Sequence, residues 1–236
     1  MLFPTATIGG YNCRDAMQRG SSDERRIMAF DFKKEYGNLY RPKTKPSLVE
    51  VPRMRFISVE GSGDPNEEGG AYKNAVGLLY GVAYTLKMSY KTDHAIPGFY
   101  QYVVPPLEGF WWQPGVAGVD STDKAAFQWV SVIRVPEFVT DADFAWAIDA
   151  ATAKKLDFSP VQLIEADEGL CVQCMHVGPY DSEPATVEAM HEFAASQGYM
   201  PDFSDTRRHH EIYLSDPRKA NPAKMKTVIR HPIRKA

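Results

Sequence analysis

The chain has 236 residues, 44% of them hydrophobic and 24% charged, and its 27 Lys plus Arg against 30 Asp plus Glu give a formal net charge of −3. Such a composition fits a globular protein of one large or two small domains. It argues against a dedicated nucleic-acid binder and gives no electrostatic reason to sit on anionic lipid.

Residues 1–27 hold Gly9-Gly10, Gly20-Ser21-Ser22 and a charged Asp23-Glu24-Arg25-Arg26 cluster with no apolar period, and read as a disordered extension. Met28 is a candidate true start, a regulatory tail being the alternative. Val49, Val51, Met54, Phe56, Ile57 and Val59 mark extended structure broken by Pro52. The Gly61–Gly70 stretch is a loop, and Ala71 to Met88 has helical spacing of apolar residues without proline. Extended segments follow at Tyr100–Val104, Leu107–Trp112 and Phe127–Val135. Asp141–Lys155 is a helix, capped by Thr140 or Asp141 with Lys154-Lys155 in its last turn. Val161–Ala166 and Leu170–Val177 are strands around the turn Asp167-Glu168-Gly169. Glu183–Gln197 is a helix entered through Pro184 and stopped at Gly198. Arg207–Leu214 and Met225–Arg230 are the last strands.

The order repeats itself. Ser131-Val132-Ile133-Arg134-Val135-Pro136 matches Thr227-Val228-Ile229-Arg230-His231-Pro232, and each half reads strand, loop, long helix, strand, strand. The fold class is therefore α+β, with tandem strand-helix-strand-strand units at about 48–136 and 161–232 in one domain spanning 28–236. The expected antiparallel sheet carries its helices on one face and leaves the other free for a ligand cleft at the pseudo-two-fold axis.

No apolar run reaches the roughly 18 residues of a membrane span, so no membrane partner is expected. The N-terminus lacks the pattern of a signal peptide. Cys13, Cys171 and Cys174 are an odd, sparse set that fits a reducing, cytoplasmic setting. Cys171-Val172-Gln173-Cys174 with His176 resembles a metal or redox string, but strand alternation sends residues three apart to opposite faces. Core cysteines are the expectation, with no metal. Gly61-Ser62-Gly63 lacks the third glycine of a dinucleotide fingerprint, and no cofactor is expected.

His209-His210-Glu211-Ile212-Tyr213-Leu214 is the informative string. Alternation places His210, Ile212 and Leu214 on one face and His209, Glu211 and Tyr213 on the other. A carboxylate in mid-strand is disfavoured by β-propensity, so Glu211 is either an exposed residue, paired with Arg208 or Arg230, or the acid at the floor of a groove. Trp111 and Trp112 are adjacent, so one packs in the core and the other faces the groove; Trp129 is a further candidate, whereas Trp146 on its helix is expected in the core. Tyr180 follows Gly178-Pro179 in a turn, either plugging it or reaching a ligand.

His176-x-Gly178-Pro179-Tyr180-Asp181, His210-Glu211-Ile212-Tyr213-Leu214-Ser215-Asp216-Pro217 and Lys226-Thr227-Val228-Ile229-Arg230-x-Pro232 together resemble the GyrI-like small-molecule-binding family. Phe30-Asp31-Phe32-Lys33-Lys34, Leu79-Tyr80-Gly81-Val82-Ala83-Tyr84 and Leu107-Glu108-Gly109-Phe110-Trp111-Trp112 are similar to its stand-alone branch. The resemblance covers about residue 28 to the end. It implies a hydrophobic cleft at the pseudo-dyad with Glu211 as its central carboxylate. Relatives of this kind include effector-binding halves of transcription activators and a gyrase inhibitor, and some stand-alone members hydrolyse the strained cyclopropane of DNA-alkylating natural products. No helix-turn-helix pattern lies upstream, so a small molecule is the expected partner and nucleic acid is not.

The leading expectation is a protein that binds planar hydrophobic or cationic xenobiotics and hydrolyses electrophilic cyclopropyl compounds. Glu211 and Tyr213 are the candidate catalytic residues; Trp111, Trp112, Trp129, Tyr180 and His209 are the candidate ligand contacts. The rival is a non-catalytic sensor or sequestering module using Glu211 as counter-charge. No sequence feature sets an oligomeric state.

Overall fold

A computed structural model describes residues 29–153 and 156–236 of the chain. The expected disordered extension, with Cys13 and Met28, and the Lys154-Lys155 pair lie outside the described residues. Two single-turn helices open the fold, α1 (Phe32–Glu35), capped by Asp31, and α2 (Gly37–Tyr40). Strands β1 (Ser47–Val51) and β2 (Met54–Ser62) flank Pro52, which has no N–H for a ladder. Helix α3 (Ala71–Lys87) follows, then β3 (Leu107–Trp112) and β4 (Gln128–Arg134). Helix α4 (Asp141–Thr152) starts with a capping box in which Thr140 and Asp143 bond each other's backbone. Then come β5 (Gln162–Ala166), β6 (Gly169–Val177), α5 (Glu183–Ser196), β7 (Tyr199–Pro201), β8 (His209–Tyr213) and β9 (Lys226–Lys235).

The strands form one antiparallel sheet in the order β1-β6-β9-β8-β3-β4-β2-β5, with β7 added on β9. That order is symmetric about the β8–β3 seam. One unit is β2-α3-β3-β4 and the other is β6-α5-β8-β9. The strand preceding each unit crosses to the far unit: β1 pairs with β6, and β5 with β2. The repeated strings 131–136 and 227–232 run along β4 and β9 and just beyond β4, at equivalent places in the two units.

Alternation sorts the side chains onto two faces. Ile57, Val59, Trp111, Trp129 and Ile133 pack with α3, and α4 adds Ala147 and Ala151 to that core. Val172, Cys174, Ile229 and Ile233 pack with Met190 and Ala194 of α5 on the same face. The opposite face carries Phe56, Phe110, Val132, Cys171, Ile212 and Val228. Cys171 and Cys174 thus belong to separate cores.

The structure departs from the sequence reading in four places. The face opposite the long helices is not free: Phe32, Leu39, Tyr40 and Tyr102 pack on it. The expected strand Tyr100–Val104 makes only one parallel bridge, Phe30 to Tyr102, because it is a strap packed on the sheet rather than a member of it. α1, α2 and β7 carry too few residues to show a period. Finally, β9 runs past Pro232, whose carbonyl accepts from the Asp202 N–H (2.9 Å), while β7 pairs with the strand's last residues.

Candidate functional site

At the central seam Gly109 of β3 faces Glu211 of β8, and Trp111 faces His209. His209, Glu211 and Tyr213 therefore share a face, as alternation requires. It is the face of the long helices, and the site lies between the first turns of α3 and α5.

The α3 side is aromatic. Tyr72, in the first turn of α3, lies 5.3 Å from the Trp111 ring and meets Trp129 edge-on at 5.2 Å. Trp111 Nε1 donates to the Tyr213 hydroxyl at 2.8 Å. Gly109 makes this possible, since a Cβ there would lie 2.5 Å from Trp111 Nε1 and 3.2 Å from the Tyr213 oxygen. Trp129 is 1% exposed and packed against Gly61, whose missing side chain leaves room for the indole. It backs Tyr72 from within the core.

The α5 side is built by the turn after β6. His176 bonds Thr186 Oγ1 (2.9 Å), the Pro179 carbonyl (3.1 Å) and Ser182 Oγ (3.2 Å), tying the turn to the first helical residues. Gly178 holds φ 146°, a value that favours glycine. The turn delivers Tyr180 edge-on to Tyr213, with ring centres 6.1 Å apart. Burial and the nearby Glu211 charge push the Tyr180 hydroxyl up to about 12, and burial with Glu211 likewise raises Tyr213. Both phenols stay protonated and remain hydrogen-bond donors.

Glu211 has a side chain 13% exposed, neither sealed in nor in open solvent. His209 Nε2 bonds its Oε1 at 2.9 Å, and His209 Nδ1 bonds His231 Nε2 at 2.6 Å. Glu183, the first residue of α5, is buried beside it. Burial, then the Glu211 charge, raises the Glu183 carboxyl well above the ordinary range. Its Oε1 is buried and receives no donor, which is tolerable for a neutral acid that donates to Glu211 and costly for an anion. Glu183, His209 and Glu211 bring one ligand-type atom each within 4.8 Å of one another. His209 Nε2 and the Glu183 carboxyl both reach Glu211, which links the three by hydrogen bonds.

Trp112 does not join this group. It lies on the opposite face under the Arg208 guanidinium, 3.2 Å above its ring. Trp146 stacks on His94 at 4.1 Å, away from Glu211. Arg230 is also on the far face, bonded to Glu168 at 3.0 Å. Two open depressions of about 640 and 770 Å³ flank residues 41–46; neither includes Glu211 or the aromatic residues around it.

Sequence reading missed Tyr72, Glu183, His191 and His231. Tyr72 counted only as part of a helical period, and Glu183 only as a helix start before Pro184. A signal for His231 did exist: the first repeat has Val135 where the second has a histidine.

An antiparallel double unit with an acid and tyrosines held between two helix starts defines a tandem α+β domain suited to a small ligand. A family model of the GyrI-like small molecule binding domain matches residues 44–234, and the chain belongs to that family. It is 46% identical to a hydrolase from Listeria innocua, covering 87% of this chain and 100% of that one, with a TM-score of 0.79. An uncharacterized conserved protein from Listeria innocua is 49% identical over 87% of this chain and 100% of that one, with a TM-score of 0.81. The C-terminal domain of EcmrR shares the fold at 14% identity, covering 81% of this chain and 98% of that one, with a TM-score of 0.51. A comparison with curated proteins gives no match. Among the described residues, no helix is long and apolar enough to cross a membrane.

Proposed function

We propose that this protein binds planar hydrophobic or cationic xenobiotics against Tyr180, Tyr213 and Trp111, and hydrolyses the strained cyclopropane of DNA-alkylating compounds. The observation that carries the reading is Glu211: a partly exposed carboxylate beside a neutral acid and among tyrosines that keep their protons. The hydrolase description of the Listeria innocua relative supports it.

In the proposed reaction Glu211 takes a proton from water as the water oxygen bonds to the ring carbon. The strained C–C bond breaks, and its electron pair runs to a conjugated carbonyl oxygen. The Tyr180 or Tyr213 hydroxyl hydrogen-bonds that oxygen as charge develops, the oxygen takes up a proton from solvent as the product leaves, and Glu211 gives up its own proton to restore the base. Trp111 and the tyrosines stack the flat ligand. The retained proton of Glu183 lowers the charge around Glu211, so the site carries one anion rather than two.

Incubation with a cyclopropyl alkylator should give a product heavier by one water, seen by mass spectrometry. Glu211→Gln should lower kcat by about 10²–10⁴-fold, the usual worth of a general base, while binding persists. Stoichiometric protection of the alkylator without any hydrated product would instead establish a sequestering module.

A further inference from the structure

Glu211 is the inner end of a line of three imidazoles. His209 on β8 bonds Glu211 Oε1 through Nε2 at 2.9 Å. Its Nδ1 meets His231 Nε2, on β9, at 2.6 Å. His231 Nδ1 in turn meets His191 Nε2, on α5, at 2.7 Å. His209 and His231 are each 1% exposed, whereas His191 is only half-buried. The line thus runs from the site, across two strands, to the protein surface. Both ring nitrogens of both inner histidines are used, and β8, β9 and α5 hold the three rings in place.

We infer that His209, His231 and His191 form a proton path that lets Glu211 exchange its proton with solvent while a bound ligand covers it. The inference rests on the proposed role of Glu211 as a base. A flat ligand seated over that carboxylate would close its remaining access to water. Ionisation of a covered Glu211 then needs a route through the protein, and this chain supplies one.

The hydrogen-bond logic has only two self-consistent forms when all three rings are neutral. An ionised Glu211 can only accept, so His209 carries its proton on Nε2 and leaves Nδ1 bare. His231 must then donate from Nε2, and His191 must do the same. Every N–H points toward Glu211. A protonated Glu211 that donates to His209 reverses the set, and every ring carries its proton on Nδ1.

One outward transfer converts the second form into the first. The Glu211 proton passes to His209 Nε2, the His209 Nδ1 proton to His231 Nε2, and the His231 Nδ1 proton to His191 Nε2. The His191 Nδ1 proton leaves to water. One proton departs, three neutral rings remain, and Glu211 is left as the carboxylate.

The surroundings favour a neutral ring at His231 and at His191. His231 is faced by His191 from α5, by His209 from β8 and by the Phe203 ring at 4.9 Å. Among the described residues, no carboxylate bonds it directly. Burial, then its two histidine neighbours, lowers the His231 imidazole well below the ordinary range, and burial lowers His191 as well. A permanently charged imidazolium would have no bare nitrogen and would block the line.

The role is one of positioning and proton transfer through His209, so its tests read more than loss of activity. In the wild-type protein, nitrogen NMR at neutral pH should show His231 neutral and protonated on Nε2. A charged His231, or the Nδ1–H form beside an ionised Glu211, would overturn the inference whether or not the protein hydrolyses any substrate. In turnover, His191→Ala should lower kcat at least 10-fold with KM within about two-fold of wild type. Added imidazole should restore it in a dose-dependent way. His231→Gln keeps polar contacts but cannot relay, and should lower kcat similarly without imidazole rescue. Wild-type kcat and an unchanged pH profile in both variants would overturn the path. Wild-type protein that gives no hydrated product would instead count against the hydrolase reading, leaving the NMR result to decide on the chain.

Discussion

A single carboxyl group shows how far local environment outweighs residue type at this site. Glu183 and Glu211 are chemically alike, yet burial beside Glu211 makes Glu183 hold its proton. The unfolded chain releases that proton near pH 4.3. The folded state retains it to higher pH, so Glu183 makes the fold less stable as pH rises from about 4.3 toward its folded value. Glu183→Gln, which copies the neutral acid, should therefore match wild type in urea denaturation at pH 4 and exceed it at pH 7–8. The gain should approach about 1.4 kcal/mol per pH unit within that interval. A constant difference across pH would refute a protonated Glu183. Glu211 was legible from sequence because a carboxylate in mid-strand, between two histidines and a tyrosine, breaks a β pattern. Glu183 was not, because an acid in the first turn of a helix is ordinary.

At the scale of elements, the β3–β8 seam decides what meets at the site. Apart from β7, the strands followed from extended runs of β-branched and aromatic residues, and α3, α4 and α5 from period and capping. Their faces did not, since alternation separates two sets of side chains without saying which set the helices cover. The expected open face is closed by α1, α2 and the strap through Tyr102, segments too short or irregular to carry a pattern. The pairing of Gly109 with Glu211 was equally hidden, because register between distant strands is not written in either one. It makes a sharp prediction. In Gly109→Ala the new Cβ would meet Trp111 Nε1 at 2.5 Å and force the indole away from Tyr213. The variant should lose about 1–3 kcal/mol of stability, typical of overpacking. Its tryptophan fluorescence should shift and its ligand affinity fall; an unshifted spectrum with native stability would show that the seam has slack.

Across the whole molecule, a second polar network sits under the opposite face and ties the N-terminal segment to the sheet. Buried His210 bridges Glu108 (3.0 Å) and Glu168 (2.9 Å), and Arg230 closes on Glu168 at 3.0 Å. Tyr40 donates to Glu108, while Arg230 donates to the Leu39 carbonyl and Gln173 to that of Asn38. Arg134 lies over the rings of Phe32 and Tyr36, at 4.8 and 4.3 Å. The carboxylates and cations balance, which is what makes such burial tolerable. Burial alone would raise Glu168, but the charges of His210 and Arg230 prevail and hold it at about 2. Its contribution is therefore full above pH 4.5 and is lost as pH falls toward 2, roughly 3 kcal/mol in all. His210 behaves oppositely. Burial would lower it, yet Glu168 and Glu108 raise it, so its contribution is full below about pH 6.5 and lost as pH climbs through its folded value. Both are complete only between about pH 4.5 and 6.5, and wild-type stability should peak there. Glu168→Gln leaves Arg230 without its buried anion and His210 with Glu108 alone, and should cost about 3–5 kcal/mol at pH 6. It should also flatten the acid limb of the profile, because the group that titrates there is gone. Urea midpoints from pH 3 to 9 decide the matter: a variant as stable as wild type at pH 6, with the same acid limb, would mean that apolar packing alone holds the N-terminal segment on the sheet.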